Sequence, residues 1–164
     1  MQPEKLTPQQ ASLKIRHFCA YQERCHAEVK EKLYAFGLLK VEAEEILASL
    51  IEENYLNEER FAIQFAGGKF RIKQWGRVKI RYELKKKQVS DYCIKKALSS
   101  IDEKDYRKTA EKLFAAKLKT LKSEKNIFIK KRKLSDFLLA KGFETTLIHQ
   151  LLKEYPDQRR ASGG

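Results

Sequence analysis

Residues 29–50 read Val29-Lys-Glu-Lys-Leu33-Tyr-Ala-Phe-Gly37-Leu38-Leu-Lys-Val-Glu-Ala43-Glu-Glu-Ile46-Leu47-Ala-Ser-Leu50. Val29 and Leu33 are one helical turn apart. Ala43, Ile46, Leu47 and Leu50 recur at the three- and four-residue intervals that line up side chains on one helix face. Gly37 falls between the two runs, where a helix ends in a left-handed cap. The stretch predicts a helix, a short turn and a second helix.

The same pattern returns twice. In the second copy Ile80 and Leu84 lead through Gln88-Val89 to Ile94, Ala97, Leu98 and Ile101. In the third, Leu134 and Leu138 lead through Gly142-Phe143 to Ile148, Leu151, Leu152 and Tyr155. With Leu38, Val89 and Phe143 as anchors, apolar residues fall nine and five positions before, and five, eight, nine and twelve after, in every copy. A two-helix unit recurring about every 50 residues is the signature of a repeat protein. Gln88 stands where the other copies have glycine; Ser90-Asp91 then supplies an N-cap and an acidic first turn for the next helix.

A further helix precedes each pair. In the third copy Tyr106, Ala110, Leu113, Phe114, Leu118 and Leu121 form an apolar stripe, with Lys108, Lys112 and Lys119 on another face. In the second, Asn57 caps a helix beginning Glu58-Glu59, with Phe61 and Phe65 on its inner side; in the first, Leu13, Ile15, Phe18 and Cys19 are the candidates. The expected fold is all-α. It consists of three tandem three-helix repeats, residues 11–56, 57–101 and 102–155, between a flexible N-terminus, 1–10, and a flexible tail, 156–164. A unit of about 50 residues buries too little to be secure alone, so the repeats are expected to pack in series as an elongated, curved molecule.

Composition agrees. The 164 residues are 35% charged and 42% apolar, with three prolines and seven glycines, which favours helices over strands. No apolar run approaches the roughly 20 residues that cross a bilayer, and Met1–Gln10 is polar, so a cytoplasmic location without a membrane is expected. Three cysteines, Cys19, Cys25 and Cys93, fit a reducing compartment rather than a disulfide framework. The net charge of +13 favours acidic or polyanionic partners. Residues 1–53 carry 7 Lys and Arg against 9 Asp and Glu, so the excess lies in the later two thirds of the chain.

Several cationic groups are candidates for contact. Arg77, Arg81 and Lys85 are spaced four apart and share a helix face, with Lys86 beside them. Arg77 and Lys79, and likewise Lys130, Lys131, Arg132 and Lys133, sit at helix starts, where cations oppose the macrodipole and invite a functional explanation. A merely solvated lysine-rich face is the plain alternative. Lys69-Phe-Arg71-Ile-Lys73-Gln-Trp75-Gly76 mixes cations and rings as nucleic-acid surfaces do, although core packing accounts for the rings equally well. Gly67-Gly68 marks a kink or helix end; it lacks the phosphate-loop pattern. His17, Cys19, Cys25 and His26 lack the spacing of a metal-ligand pair. Glu42, Glu44, Glu45, Glu52 and Glu53 have no accompanying nucleophile or base. Neither a cofactor nor catalysis is indicated.

Two segments resemble a known family. Tyr21-Gln-Glu-Arg24-Cys-His-Ala-Glu28-Val29-Lys-Glu-Lys32-Leu33 looks like the first-repeat signature of RecX proteins, with Cys25 where serine is commoner. Glu53-Asn54-Tyr55-Leu56-Asn57-Glu58-Glu59-Arg60-Phe61-Ala62, followed by Phe65, Trp75-Gly76, Lys79-Ile80, Glu83-Leu84 and Lys87, is similar to the family's central block. Asn54 and Gln88 replace two glycines common there. The resemblance spans about residues 12–155 and implies a monomeric protein that lies in the groove of the RecA–DNA filament, acting in recombination, DNA repair and the SOS response. It also implies inhibition of RecA's ATP hydrolysis and strand exchange, with single- or double-stranded DNA as a further contact. The alternative from charge alone is a stand-alone, nonspecific nucleic-acid binder.

Overall fold

In a computed structural model of the chain, residues 5–161 are described, with side chains through residue 155. The described residues form α1 (Pro8–Tyr21), α2 (His26–Ala35), α3 (Lys40–Glu52), α4 (Glu58–Gly68), α5 (Arg77–Lys86), α6 (Asp91–Ser99), α7 (Glu103–Thr120), α8 (Ile127–Lys141) and α9 (Thr145–Ala161). A π-helical segment, Lys69–Lys73, continues α4. The described residues contain no strand, and none of their helices is long and apolar enough to cross a membrane.

Local chemistry sets the helix starts. Thr7 and Gln10 cap α1 reciprocally, the Gln10 N–H donating to Thr7 Oγ1 at 3.2 Å and the Thr7 N–H to Gln10 Oε1 at 3.0 Å. α1 thus begins at Pro8, inside the segment expected as a flexible N-terminus; residues 1–4 of that segment lie outside the described ones. α9 likewise runs to Ala161, inside the segment expected as a flexible tail, 156–164, of which no side chain is described. Asn57 Oδ1 accepts from the Arg60 N–H at 2.9 Å, and Ser90 Oγ from the Cys93 N–H at 3.3 Å, so the caps read from the sequence for α4 and α6 are formed.

The helix ends share one geometry. Gly37, Gln88 and Gly142 have φ of +86°, +62° and +94°. At each turn the following anchor donates five residues back: Leu38 to Leu33 at 3.4 Å, Val89 to Leu84 at 3.1 Å and Phe143 to Leu138 at 3.1 Å. The preceding N–H donates three back, to Tyr34, Lys85 and Leu139, each at 2.9 Å. This is a left-handed C-cap used three times. Asn54 and Gln88, non-glycine residues, are both in the left-handed region. The repeated apolar offsets are the core: all are buried except Ile46 and Leu152, which are half-buried.

By its contacts the chain divides into two compact units. Unit 1 comprises Met1–Ala66 and Glu83–Leu98; unit 2 comprises Gly67–Tyr82 and Ser99–Gly164. Stretches of the second helix trio therefore belong to each. In unit 1, Ala11, Ile15 and Cys19 of α1 pack with Val29, Leu33, Leu47 and Leu50. Leu13, expected on that inner stripe, is 64% exposed. Two residues past Ala11 it has turned about 200° from the stripe, which steps in fours. In unit 2, Tyr106 lies between Phe70 and Phe143, with ring centroids 5.8 and 5.2 Å away, and Phe114 meets Tyr155 edge-on. Ile80, Leu134, Leu138 and Ile148 of unit 2 are also buried.

Gln88→Gly relieves a left-handed backbone at a side chain that gains nothing from it, and should raise stability by about 1 kcal/mol, or about 3 °C in a chain of this size. Thermal unfolding followed by circular dichroism reads the shift; an unchanged or lower midpoint would show that the Gln88 side chain compensates for its backbone.

Candidate partner-binding surface

The charge is unevenly divided. Unit 1 holds 13 Lys and Arg against 13 Asp and Glu; unit 2 holds 22 against 9, so the entire excess of +13 belongs to unit 2. Its stretch Gly67–Tyr82 contributes Lys69, Arg71, Lys73, Arg77, Lys79 and Arg81 with no carboxylate at all.

These cations have different tasks. Arg77 is turned inward, with a side chain 18% exposed that pairs with Glu103 at 2.7 Å and Glu144 at 3.9 Å. Its guanidinium lies 4.0 Å from the Tyr106 ring centroid, and its backbone N–H donates to the Tyr106 hydroxyl at 3.0 Å. The Tyr106 hydroxyl in turn donates to Glu144 in a short hydrogen bond. Arg77 is thus a clamp on the ring stack. Lys79 is half-buried, its Nζ 4.8 Å from the Trp75 ring centroid, with Lys69 Nζ at 5.1 Å from the same ring. Trp75 is itself half-buried between those ammonium groups.

Arg71, Lys73, Arg81, Arg132 and Lys133 are exposed; Lys131 is half-buried and Lys130 is buried, 8% exposed. The Arg71 guanidinium folds over Gly67, where a Cβ would come within 2.8 Å of it. Lys85 and Lys86 belong to unit 1, where Lys85 lies 4.0 Å from Asp91 and Lys86 3.7 Å from Glu83. The helix spacing of Arg77, Arg81 and Lys85 is real, but only Arg81 among them projects outward from unit 2.

The structure adds two residues to the nominated set. Arg71 shares a notch of about 270 Å³ with Lys108 and Lys112 of α7, beside Gln74, Asp105 and Thr109. The spacing of Lys108 and Lys112 in the sequence marked an outward face; what it lacked was the folding of the π-helical segment against α7. Cations at a ring-lined notch suit phosphate or carboxylate groups.

The remaining reactive groups point elsewhere. Cys19, Cys25 and Cys93 are buried free thiols, and burial raises the pKa of Cys19 and Cys25, which suppresses the nucleophilic thiolate. Among the described residues there is no cluster of His, Cys, Asp or Glu able to hold a metal ion.

A helical-repeat protein with one strongly basic unit is the class these features define. Residues 57–98 match the family model for the second three-helix domain of RecX. A RecX regulatory protein from Prosthecochloris aestuarii is 31% identical over 139 residues, covering 84% of this chain and 87% of that protein. One from Clostridium botulinum is 34% identical over 128 residues, covering 77% of this chain and 59% of the relative; one from Bacillus cytotoxicus is 27% identical over 152 residues, covering 92% and 56%. The chain therefore spans under two thirds of the length of the latter two. The crystal structure of RecX from Lactobacillus salivarius shares the fold, with a TM-score of 0.81 at 24% identity over 90% of this chain and 95% of that one. The chain belongs to the RecX family of regulatory proteins.

Tyr106 links these observations to stability. Burial, and then the hydrogen bond to Glu144, push its phenol pKa well above the usual range. The folded state therefore holds the phenolic proton more tightly, a contribution complete below the ordinary phenol pKa of about 10 and lost as pH rises beyond it. Tyr106→Phe should cost about 1–3 kcal/mol at neutral pH by stranding the Arg77 N–H and Glu144. It should also flatten the alkaline fall in thermal midpoint. A variant with the wild-type midpoint at both neutral and alkaline pH would show that the hydroxyl contributes nothing.

Proposed function

We propose that this chain regulates the RecA recombinase, binding the RecA–DNA filament through the basic surface of unit 2 and inhibiting its ATP hydrolysis and strand exchange. The observation that carries the reading is the segregation of the whole positive excess onto one unit of a RecX-family repeat protein. In this reading the repeats 11–56, 57–101 and 102–155 act in tandem as a monomer in the cytoplasm, without catalysis of their own. Occupying the filament groove would block an incoming duplex or bias the filament toward an inactive arrangement.

The exposed cations Arg71, Lys73, Arg81, Arg132 and Lys133 are the proposed contacts, with Lys108 and Lys112 beside Arg71. Of the other residues, Lys79 and Lys131 are half-buried, Lys130 is buried, and Lys85 and Lys86 belong to unit 1, while Arg77 acts indirectly by clamping the Tyr106 ring. One observation favours stand-alone nucleic-acid binding as a second reading: the half-buried Trp75 ring, with the ammonium groups of Lys69 and Lys79 at 5.1 and 4.8 Å from its centroid, combines the ring and cations that bases and phosphates recognise.

Titrating RecA's ATP hydrolysis on single-stranded DNA with this protein, alongside a DNA-binding titration at the same salt, separates the two. Inhibition below the concentration that coats free DNA supports the filament reading; tight, salt-steep DNA binding without inhibition supports the second. Lys73→Glu, Arg81→Glu and Arg132→Glu combined should raise the inhibitory concentration by about tenfold or more, with an unchanged thermal midpoint. Undiminished inhibition would exclude this surface. Arg77→Glu should instead lower the midpoint, because it leaves Glu103 and Glu144 facing a like charge.

A further inference from the structure

Unit 1 is neutral overall, yet one groove on it is lined only by cations, a histidine and rings. α1 contributes Lys14, His17, Phe18 and Tyr21, spaced at three, four and seven residues from the first and therefore on one face. Arg24 from the turn and Lys32 from α2 stand opposite, with Phe36 closing the end of a space of about 540 Å³.

The groove has a preformed floor. Phe18 and Phe36 pack their inner sides on the unit 1 core. The Arg24 guanidinium covers Phe18 at 3.7 Å from the ring centroid, fixed by its Nε donating to the Phe18 carbonyl at 3.1 Å. Lys32 Nζ lies 5.7 Å from the Phe18 centroid and 5.6 Å from that of Phe36. At the end of α1, Tyr21 is 83% exposed, a large ring that takes no part in the core.

We propose that this groove docks an acidic segment of a protein partner, one that presents carboxylates to Lys14, Arg24 and Lys32 and sets an apolar side chain against Tyr21 and the two phenylalanines. Charge complementarity is the first argument, since no carboxylate lines the groove. Its scale is the second. A nucleic-acid strand is selected by an extended cationic track, whereas unit 1 balances 13 cations with 13 carboxylates, and Glu28 of α2 stands 3.8 Å from Arg24. Ring geometry is the third. Arg24 already occupies one face of Phe18, so a base has little to stack on there, while Lys14 and Lys32 are exposed to a carboxylate. A two-helix groove with an apolar floor and cationic rim is the form that receives amphipathic acidic segments. This docking goes beyond the filament contact assigned to unit 2, and its failure would leave that reading untouched.

The test uses the full chain and two fluorescein-labelled probes: a peptide in which glutamates alternate with leucine and phenylalanine, and an oligothymidylate. Anisotropy should report peptide binding that Lys14→Glu with Lys32→Glu weakens by about tenfold or more, and that Tyr21→Ala weakens by about fivefold. All three side chains are exposed, so thermal midpoints should hold, and oligonucleotide binding should be unchanged in both variants. Absence of peptide binding by the unaltered chain, or binding indifferent to all three substitutions, would overturn the proposal. Oligonucleotide binding lost with Lys14→Glu and Lys32→Glu would overturn it too, by assigning the groove to nucleic acid.

Discussion

Helix ends carry unpaired N–H and C=O groups, and unit 2 satisfies two sets of them against each other. The Gly76 N–H donates to the Lys141 carbonyl at 2.8 Å and the Val78 N–H to the Gly142 carbonyl at 2.9 Å, so the start of α5 abuts the end of α8. Such an approach has no room for side chains. A Cβ on Gly76 would lie 2.3 Å from the Gly142 oxygen, and one on Gly142 2.3 Å from Lys79 Cβ. The rest of the unit's geometry follows from this backbone contact. It fixes the entry of α5, places Arg77 over Tyr106, and leaves Trp75 between Lys69 and Lys79. Unit 1 uses a related device, with the Leu6 N–H donating to the Phe36 carbonyl at 2.9 Å beside Gly37.

The fold was legible because its signal is redundant. Six apolar offsets recur three times, and no alternative periodicity places Val29, Ile80 and Leu134 in equivalent positions. The left-handed caps were legible at Gly37 and Gly142 from the residue type. At Gln88 only its alignment with them gave the turn away. Leu13 was misplaced because α1 has several apolar residues and no repeat partner to arbitrate; Ala11, small and unremarkable in composition, is the true member of the stripe.

The site was less legible than the fold, for a physical reason. Helical spacing tells which cations share a face, but not whether another element supplies carboxylates to that face. Glu103 and Glu144 are distant in sequence from Arg77 and convert it into an internal clamp. Lys108 and Lys112 gain their interest from Arg71, which the π-helical segment brings to them. The aromatic groove on unit 1 escaped notice because its residues are spread over α1, a turn and α2, within a segment whose net charge is slightly negative.

Macrodipoles refine which cations are free to act. Arg77 and Lys79 at the start of α5 oppose that helix's positive end, a cost that by itself would argue for a role in binding. The abutting carbonyl end of α8 changes the balance, because the same residues stand at its negative terminus, and Lys79 lies directly against Gly142. Their placement is therefore explained by the fold. α8 starts earlier than its sequence suggested: Asn126 Oδ1 accepts from the Phe128 and Ile129 N–H groups, so Lys130, Lys131, Arg132 and Lys133 lie past the first turn, where the macrodipole has faded, and Arg132 and Lys133 are exposed there. Cations that the fold does not use are the ones a partner can, and on this ground Arg132 and Lys133, with Arg81, are stronger contact candidates than Arg77 and Lys79.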